Sequence, residues 1–437
     1  MTVITTAAGL QNMDLDLTDD YELGNNINCS GIANFEPVGG WGGAAAFTGT
    51  FDGKGYRITG LTVNRAADDY IGLFGETDGA TIQNVTIEAT ITGDDNVGIL
   101  AGSTNGGIFT DITVSGTVIG DTDVGGMLGE TNDSEVITNC VSSGSVTGTS
   151  DTGGLIGETN GGETLIDCHS SCSLSAGDTA GGLIGGAYGD ATITRCYATG
   201  NLVATGDDIG GLIGDTSYTT LSRCYATGNI TSSDTTVGYL GGLVGFAPGY
   251  VGDGDGFTDC YSTGNITANN VGGSHEIGGF IGRNYGYLRN CYSIGLLTAA
   301  GAGNLIGGLV GRQEAGASTT ACFWDKTTSG EADAVGDGLS TGITGRTTAQ
   351  MKDLNTIIAA GWSIPSIWNV SPGCNGGYPC LVGVNLCCSS SAVPSVDPTI
   401  APKKVSLELI RNIEMMNTGR FYIDKSGNAV YESRFAR

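Results

Sequence analysis

Two nearly identical phrases decide the fold: "GGLIGGAYGDATITRCYATGNL" at 181–202 and "GGLIGDTSYTTLSRCYATGNI" at 210–230. Each joins a glycine-rich block to short segments of small and β-branched residues, and each keeps one cysteine. Variants of the phrase recur along most of the 437 residues. Self-similarity at this period predicts an array in which each copy packs on the next.

The last glycine of each "GGLIG"-like block marks the repeat. Nine such glycines stand 27 to 37 residues apart: Gly75, Gly102, Gly129, Gly157, Gly185, Gly214, Gly245, Gly282 and Gly311. The segments between them are typical of short strands broken by Gly, Asn, Asp and Ser turns. A unit of about 28 residues is too short for a βαβ crossover with its helix. The sequence therefore predicts an all-β protein, a parallel β-helix (β-solenoid) of about nine coils with capped ends.

Within one unit, the block "GGLIG" at 153–157 contains Leu155 and Ile156 side by side. If the segment is extended, these two side chains point to opposite faces, and only one of them faces the core. Glycine is expected around them because tight corners need close backbone approach.

One position of the unit is a cysteine in seven consecutive copies. These residues are Cys140, Cys168, Cys196, Cys224, Cys260, Cys291 and Cys322. The two preceding copies have Val85 and Ile112 there, which indicates an apolar, inward-facing position. We therefore expect a ladder of buried thiols that act as small hydrophobes. One cysteine per coil lacks the clustering of a metal site, and disulfides between adjacent coils are an alternative that leaves one of the seven unpaired.

The composition restricts the partners. The chain has 45 acidic and 18 basic residues, a formal net charge of −27, which argues against nucleic acid and anionic membrane surfaces. No apolar run reaches membrane-spanning length, so no membrane insertion is expected. The N-terminal "MTVITTAAGLQNMDLDL" lacks the basic start and apolar stretch of a Sec signal peptide.

The ends depart from the repeat, as the caps of a solenoid do. The predicted segments are an N-terminal cap with the first strands at 1–63, the repeats at 64–346, a C-terminal cap with a short helix at 347–383, a Ser/Pro-rich linker at 384–404, and a small β-hairpin docking module at 405–437. In the C-terminal cap, "TAQMKDLNTIIAA" predicts a helix capped by Thr348. Trp362, Trp368 and Tyr378 are expected to close the open end of the solenoid.

Four cysteines cluster around the predicted linker: Cys374, Cys380, Cys387 and Cys388. In an oxidising compartment they are close enough in sequence to form two local disulfides. Free thiols are the alternative that the sequence leaves open.

The repeat unit, the stretch "FTGTFDGKGYRITGLTV" and the closing "W…IW…GGYPCL" together resemble proteins built from GLUG-motif repeats. The resemblance covers roughly residues 14 to 383. It implies an extracellular, adhesin-like surface protein with a β-solenoid fold, and it implies no catalytic residues and no cofactor. A fold-level analogy does not by itself settle the function.

The C-terminal module reads as a hairpin, because "RFYID" and "AVYESR" alternate around the turn "KSGN". Residues 401–437 carry seven Lys/Arg against four Asp/Glu, a basic tail on an acidic body. The ending resembles those of tailed-phage tail and minor structural proteins. We expect it to dock on other copies of the chain or on virion or filament structural proteins. The expected docking residues are Arg420, Phe421, Ile423, Val430, Arg434, Phe435 and Arg437.

Acidic residues recur before the closing glycine of several units. Stacked rungs bring such carboxylates close together, and calcium is a weak possibility for Asp95, Asp123, Asp151, Asp178 and Asp208. Turn chemistry favours Asp at such positions without any function. The repetition does not resemble the unique carboxylate pair of a glycosidase, so no catalytic residue is predicted.

Two units are longer than the others, and the surplus falls in "FAPGYVGDGDGFTDC" and "ANNVGGSHEIGG". Insertions in solenoids emerge as surface loops. We expect protruding loops near 246–257 and 269–276, in which Tyr250, Phe257 and His275 contact a host surface glycan or protein.

The sequence thus favours a non-enzymatic structural or receptor-binding appendage protein. A tail fibre or spike on a virion is preferred over a bacterial cell-surface adhesin, and both are extracellular. A tailspike that degrades polysaccharide is the alternative from a different class.

Overall fold

The computed structural model describes residues 1–40, 45–233, 238–248, 256–269, 275–385 and 387–388, and the backbone of two strands at 419–423 and 429–433. The chain divides into two units, Met1–Ser389 and Ser390–Arg437. The first unit is a parallel β-solenoid of about eleven turns, which confirms the predicted fold class. The extra turns lie at the ends, where strands such as Val335–Asp337 continue the stack without the glycine-rich phrase.

Three parallel sheets run along the solenoid. The largest has 27 strands, and the others have ten and seven. In the ten-stranded sheet the strands are Phe74–Asp78, Ala101–Asn105, Leu128–Thr131, Ile156–Thr159, Ile184–Ala187, Ile213–Thr216, Val244–Ala247, Ile281–Asn284, Val310–Gln313 and Val335–Asp337. In the seven-stranded sheet they are Val124–Gly125, Thr152–Gly153, Ala180–Gly181, Ile209–Gly210, Tyr239–Gly241, Glu276–Gly278 and Leu305–Gly307.

The 27-stranded sheet begins with short strands and has its longest strands at Thr81–Thr92 and Ile108–Ile119, whereas most later coils have three short strands in their place. The strands of the first coils are Thr2–Ile4, Tyr21–Leu23, Ile27–Asn28, Thr50–Asp52, Arg57–Asn64, Thr81–Thr92, Ile108–Ile119, Val136–Thr138 and Val141–Thr147. Those of the later coils are Thr164–Ile166, His169–Ser170, Ser173–Ala176, Thr192–Thr194, Tyr197–Ala198, Leu202–Ala204, Thr220–Ser222, Tyr225–Ala226, Ile230–Ser232, Gly256–Thr258, Tyr261–Ser262, Ile266–Ala268, Tyr287–Arg289, Tyr292–Ser293, Leu297–Ala299, Ser318–Thr320, Cys322–Asp325 and Ile343–Arg346.

The core is a continuous apolar column inside the coils. Leu155 and Ile156 are both fully buried, so the expectation that only one of them faces the core is wrong. The chain bends at 154–155, between the strands Thr152–Gly153 and Ile156–Thr159, and the alternation of an extended strand does not continue through that bend. Both side chains therefore point inward.

Helices occur only near the two ends of the described solenoid. They are Ala7–Gln11 with the 3-10 turn Asn12–Leu15, then Thr348–Met351, Leu354–Ala359 and the 3-10 turn Asn375–Gly377. The single helix predicted in "TAQMKDLNTIIAA" is in fact two short ones. Thr347, not Thr348, caps the first in a capping box with Gln350, and Asp353 caps the second. Among the described residues, no helix is long and apolar enough to span a membrane.

The C-terminal cap packs alongside the coils, which corrects the expected plug across the open end. The Trp368 Nε1–H donates to Asp259 Oδ1 at 2.8 Å, and the Trp362 Nε1–H donates to the Ala321 carbonyl at 2.9 Å. These partners lie on one side of the solenoid, in the coils of Cys260 and Cys322, with the coil of Cys291 between them. Two disulfides hold the end of this segment, Cys374–Cys387 and Cys380–Cys388, which is the local pairing left open by the sequence.

In the second unit, Gly419–Ile423 pairs antiparallel with Ala429–Ser433, as the hairpin prediction requires. The expected docking residues Arg420, Phe421, Ile423 and Val430 lie in these two strands. Arg434, Phe435 and Arg437 lie outside the described residues, and the docking role stays a prediction.

Candidate functional site

The seven ladder cysteines are all fully buried and all free thiols. They stack in register, because the neighbouring pairs Ile166–Thr194 and His169–Tyr197 bracket Cys168 and Cys196. Each coil thus contributes one sulfur to an apolar column. Burial raises the pKa of the Cys196 and Cys260 thiols. Because the thiolate is the reactive form, buried thiols of raised pKa are chemically inert.

We expect Cys224→Val to lower the free energy of unfolding by less than about 1.5 kcal/mol, because valine nearly conserves the volume. Val85 and Ile112 occupy the same position in earlier coils and are equally buried. In the native protein, the seven thiols should also resist alkylation. Urea denaturation and thiol labelling with and without denaturant measure the two effects. Rapid labelling of Cys224 in the folded state would contradict the burial of the ladder.

An aromatic ladder runs beside the cysteines and was missed in the sequence. In five consecutive coils, from Cys168 to Cys291, the residue after the ladder cysteine stacks on its counterpart in the neighbouring coil, with interplanar angles of 3 to 7°. The stacked rings are His169, Tyr197, Tyr225, Tyr261 and Tyr292, with centroids 4.5 to 5.0 Å apart. The repeated "CY" at four positions was the signal that could have revealed it. The C-terminal cap covers the later rings, so this part of the ladder is an interface within the protein and not an open binding surface.

The expected binding-loop residues are not on the surface where the structure describes them. Phe257 is fully buried and pairs in register with Leu221 and Leu288, inside the core. His275 is also fully buried, and its Nδ1 accepts the Gly238 N–H at 3.0 Å. The prediction that these two side chains contact a target is wrong, because both are enclosed. Phe257 is a strand residue in the core, and His275 lies directly before the strand Glu276–Gly278. Tyr250 lies outside the described residues.

The five weak calcium candidates separate into two groups. Asp95 and Asp178 lie in surface turns and accept backbone N–H groups of the next coil, from Thr122 and Asp207. Such hydrogen bonds cap a turn and need no ion. The other three candidates, Asp123, Asp151 and Asp208, share a column of residues with positive φ. Each of them has a buried carboxylate oxygen that accepts no hydrogen bond within the described part of the chain.

Burial raises the pKa of several carboxyl groups near this column. The pKa of Asp123 rises to about 9, through burial and the neighbouring Glu158, and that of Asp208 to about 7. Asp151 has a pKa of about 6 for the same reason. Glu163, which is fully buried and accepts the Gly161 N–H, has a pKa of about 7. At neutral pH, Asp123 therefore keeps its proton, Asp208 and Glu163 are close to half-protonated, and Asp151 is mostly ionised.

We expect the melting temperature in metal-free buffer to fall as the pH rises from about 5 to about 9. The folded protein keeps protons on these carboxyls that the unfolded chain releases near pH 4. Stability from a raised pKa is complete below the unfolded value and is lost as the pH passes the folded values of about 6 to 9. Scanning fluorimetry in EDTA measures the trend. Glu163→Gln should flatten it, and a melting temperature that rises over this range would contradict the assignment.

The outward side chains of the ten-stranded sheet form one column along the solenoid, here called the outer column. Its members are Glu76, Ser103, Glu130, Glu158, Gly186, Asp215, Phe246, Arg283, Arg312 and Asp337. The first coils contribute carboxylates, and later coils contribute an aromatic ring and two arginines. The column therefore changes in character along the solenoid.

Aromatic rings and arginines meet at the later part of the outer column. The guanidinium of Arg283 lies over the rings of Tyr239 and Tyr285, 5.4 and 5.5 Å from their centroids. Phe246 packs against the same two rings, with centroids 4.8 and 6.2 Å away. All four side chains are half-buried. With Arg312 of the next coil they form a surface cluster, here called the aromatic–arginine patch.

Carboxylates hold the two arginines of this patch in place. Glu314 accepts from Arg283 at 2.6 Å and from Arg312 at 3.0 Å. Glu276, which is buried, lies 3.6 and 3.4 Å from the same two guanidinium groups. The two guanidinium groups are held in fixed orientations beside partly exposed aromatic rings, an arrangement that can bind a ligand. Because a guanidinium stays charged, it does not serve in proton transfer. The sequence analysis did not identify this patch, because its residues come from three coils.

The imidazole groups of the two histidines have packing roles. His169 stacks on Tyr197, and burial lowers its pKa. His275 is enclosed, with Nδ1 bound to the backbone. The absence of catalytic residues stays a prediction.

Residues 176–203 match the model of the GLUG motif. A protein of Evansella cellulosilytica, provisionally described as a Gly-rich membrane protein, is 40% identical over 99 residues, which is 22% of this chain and 11% of that protein. Halomucin of Haloquadratum walsbyi is 36% identical over 103 residues, which is 22% of this chain and 1% of halomucin. The match thus spans only a small fraction of either relative.

Two solved structures are similar in outline. One is from Bacteroides ovatus and is provisionally described as an immunoglobulin A1 protease; it has a TM-score of 0.45 and 19% identity, covering 87% of this chain and 91% of that chain. The other, an IgA1 protease, has a TM-score of 0.42 and 17% identity, covering 58% of this chain and 21% of that chain. Neither likeness is strong enough to carry an argument about activity. What the chain shares with a known family is the GLUG motif of residues 176–203, set in a solenoid whose coils repeat the same phrase.

Proposed function

We propose that this chain is a non-enzymatic, extracellular, adhesin-like surface protein that binds its target through the aromatic–arginine patch. A GLUG motif within a β-solenoid and relatives named as a membrane protein and a halomucin support a surface role. The patch is the observation that carries the binding proposal.

The chemistry of the patch favours a surface glycan as the target. Aromatic rings such as Phe246 and Tyr285 pack against the apolar faces of sugar rings, as they do in other amphipathic contacts. The guanidinium of Arg312 and the carboxylate of Glu314 supply fixed donors and acceptors for hydroxyl groups. Arginine and carboxylate charges nearly cancel here, in a chain whose formal net charge is −27. An acidic glycan therefore meets less repulsion at this patch than at the acidic surfaces of the chain.

Binding of the labelled full-length protein to a glycan array tests the proposal. We expect Phe246→Ala and Arg312→Ala each to weaken binding at least tenfold. Val203→Ala is the matched control, because Val203 is 52% exposed on another face and should bind like the parent. Circular dichroism checks that the variants fold. Unchanged binding by both patch variants would exclude the patch, and cleavage of a bound glycan or protein would contradict the non-enzymatic role.

A more specific version of this proposal places the protein on the surface of a virion. It is motivated by the basic C-terminal module, whose hairpin at 419–423 and 429–433 presents two short strands. Exposed strand edges gain stability by adding to a partner's sheet. Truncation after Pro402 should give a folded solenoid that no longer assembles into larger particles. A truncated protein that still assembles, or that unfolds, would count against a docking module.

A further inference from the structure

Three carboxylates from two adjacent coils converge at the early part of the outer column. Asp123 precedes the strand Val124–Gly125, and Glu130 lies in Leu128–Thr131 of the same coil. Glu158, on the next coil, is the register partner of Glu130. Each residue places an oxygen within 4.8 Å of an oxygen of the other two.

One of the three carboxylates has a buried oxygen without a partner. Asp123 is only 9% exposed; its Oδ2 accepts from the Asn96 amide at 3.4 Å, and its Oδ1 accepts no hydrogen bond from the described residues. The salt bridges of the described chain do not reach Asp123, Glu130 or Glu158. A buried carboxylate oxygen without a partner costs free energy.

We infer that Asp123, Glu130 and Glu158 form a calcium site that joins two adjacent coils. All three ligands are oxygens, which selects a hard cation. Calcium accepts six to eight oxygen ligands in flexible geometry, whereas magnesium demands a near-ideal octahedron. A cluster assembled from side chains of two coils therefore favours calcium.

The surroundings of the cluster support an ion-binding role. Amide groups of Asn96 and Asn160 donate to the two oxygens of Glu130, at 2.9 and 3.1 Å, and fix its orientation. Outer hydrogen bonds of this kind position metal ligands. Glu130 and Glu158 are half-buried. Water can therefore reach the ion and complete the six to eight ligands that calcium takes.

Titration of the EDTA-treated full-length protein with CaCl₂ at pH 7.5, followed by calorimetry and scanning fluorimetry, tests this inference. We expect a binding isotherm and a rise in melting temperature with calcium. MgCl₂ should bind at least tenfold more weakly than CaCl₂.

Two variants and a matched control locate the site. Asp123→Asn and Glu158→Gln should abolish the calcium response. Both should still fold in EDTA, because each amide has nearly the shape of the carboxyl that it replaces and relieves crowding among acidic groups. Asp121→Asn changes the surface group of Asp94, Asp95 and Asp121, which also has three close carboxylates, and should respond like the parent. No calcium binding by the parent, or a response that Asp123→Asn and Glu158→Gln retain, would overturn the inference. These readouts do not depend on glycan binding.

Discussion

Gly154→Ala is expected to lower the free energy of unfolding by about 3 kcal/mol, the upper end of what overpacking costs in a dense interior. Gly154 is the second glycine of its "GGLIG" block. A methyl group there would overlap the carbonyl oxygen of Gly182 in the next coil and the Oγ of Ser170. Neither backbone can move without disturbing the parallel hydrogen bonds on both sides.

The same contact repeats along the stack, which explains why the second glycine recurs. At each such glycine, an added methyl group would meet the carbonyl oxygen of the second glycine in the next coil. These positions are Gly126, Gly154, Gly182, Gly211, Gly242 and Gly279. None of them has a positive φ. Glycine is therefore required at these positions because neighbouring coils approach closely, and not because the backbone needs conformational freedom.

Gly31→Ala provides the control. An added methyl group at Gly31 would meet nothing within 4 Å, and the residue is exposed. Its effect should stay within about 0.5 kcal/mol. Urea denaturation followed by circular dichroism compares the two variants with the parent. Equal stability of Gly154→Ala and Gly31→Ala would mean that the coils can separate to accept the methyl group.

The repeat period was enough to predict the solenoid, because glycine and cysteine mark positions that every coil must satisfy. The burial of Phe257 could also have been predicted from the sequence. The residue three positions before six of the seven ladder cysteines is apolar, as in Leu221 and Leu288, and Phe257 is the register partner of both. The extra length of this unit predicted a surface loop that contains Phe257. The fixed spacing of Phe257 from Cys260 indicated a buried strand position instead, and it was the better predictor.

The C-terminal cap and the aromatic–arginine patch were harder to predict, because both depend on contacts between distant residues. Trp368 and Asp259 are 109 residues apart in sequence, and Asn385 and Tyr261 are 124 apart. Periodicity gives the position of a residue within its coil, but not which non-repeating segment covers that coil. The calcium candidates show the same limit. Asp95 and Asp123 looked equivalent from their offsets, yet only Asp123 is buried among carboxylates.

An aromatic joint centred on Trp368 holds the cap. Truncating this side chain should lower the free energy of unfolding more than truncating any other single side chain. Trp368 is fully buried, and its ring lies 4.7 Å from that of Trp362 and 5.8 Å from that of Tyr292, between ring centroids. Polar contacts surround this joint: Asn375 donates to the Tyr292 hydroxyl, which in turn donates to the Pro379 carbonyl. The cap and the tyrosine ladder therefore form one packed unit.

We expect Trp368→Ala to lower the free energy of unfolding by about 3–5 kcal/mol, the usual cost of removing a buried tryptophan side chain. The cavity would lie between the cap and the ladder, so the cap should also become sensitive to protease. Trp368→Phe keeps most of the packing but removes the N–H that donates to Asp259, and should cost less, about 1–2 kcal/mol. Leu339→Ala, at a side chain 76% exposed, should change neither measurement. If Trp368→Ala resists protease and urea as well as the parent does, the cap does not depend on this joint, and the two disulfides alone must hold it.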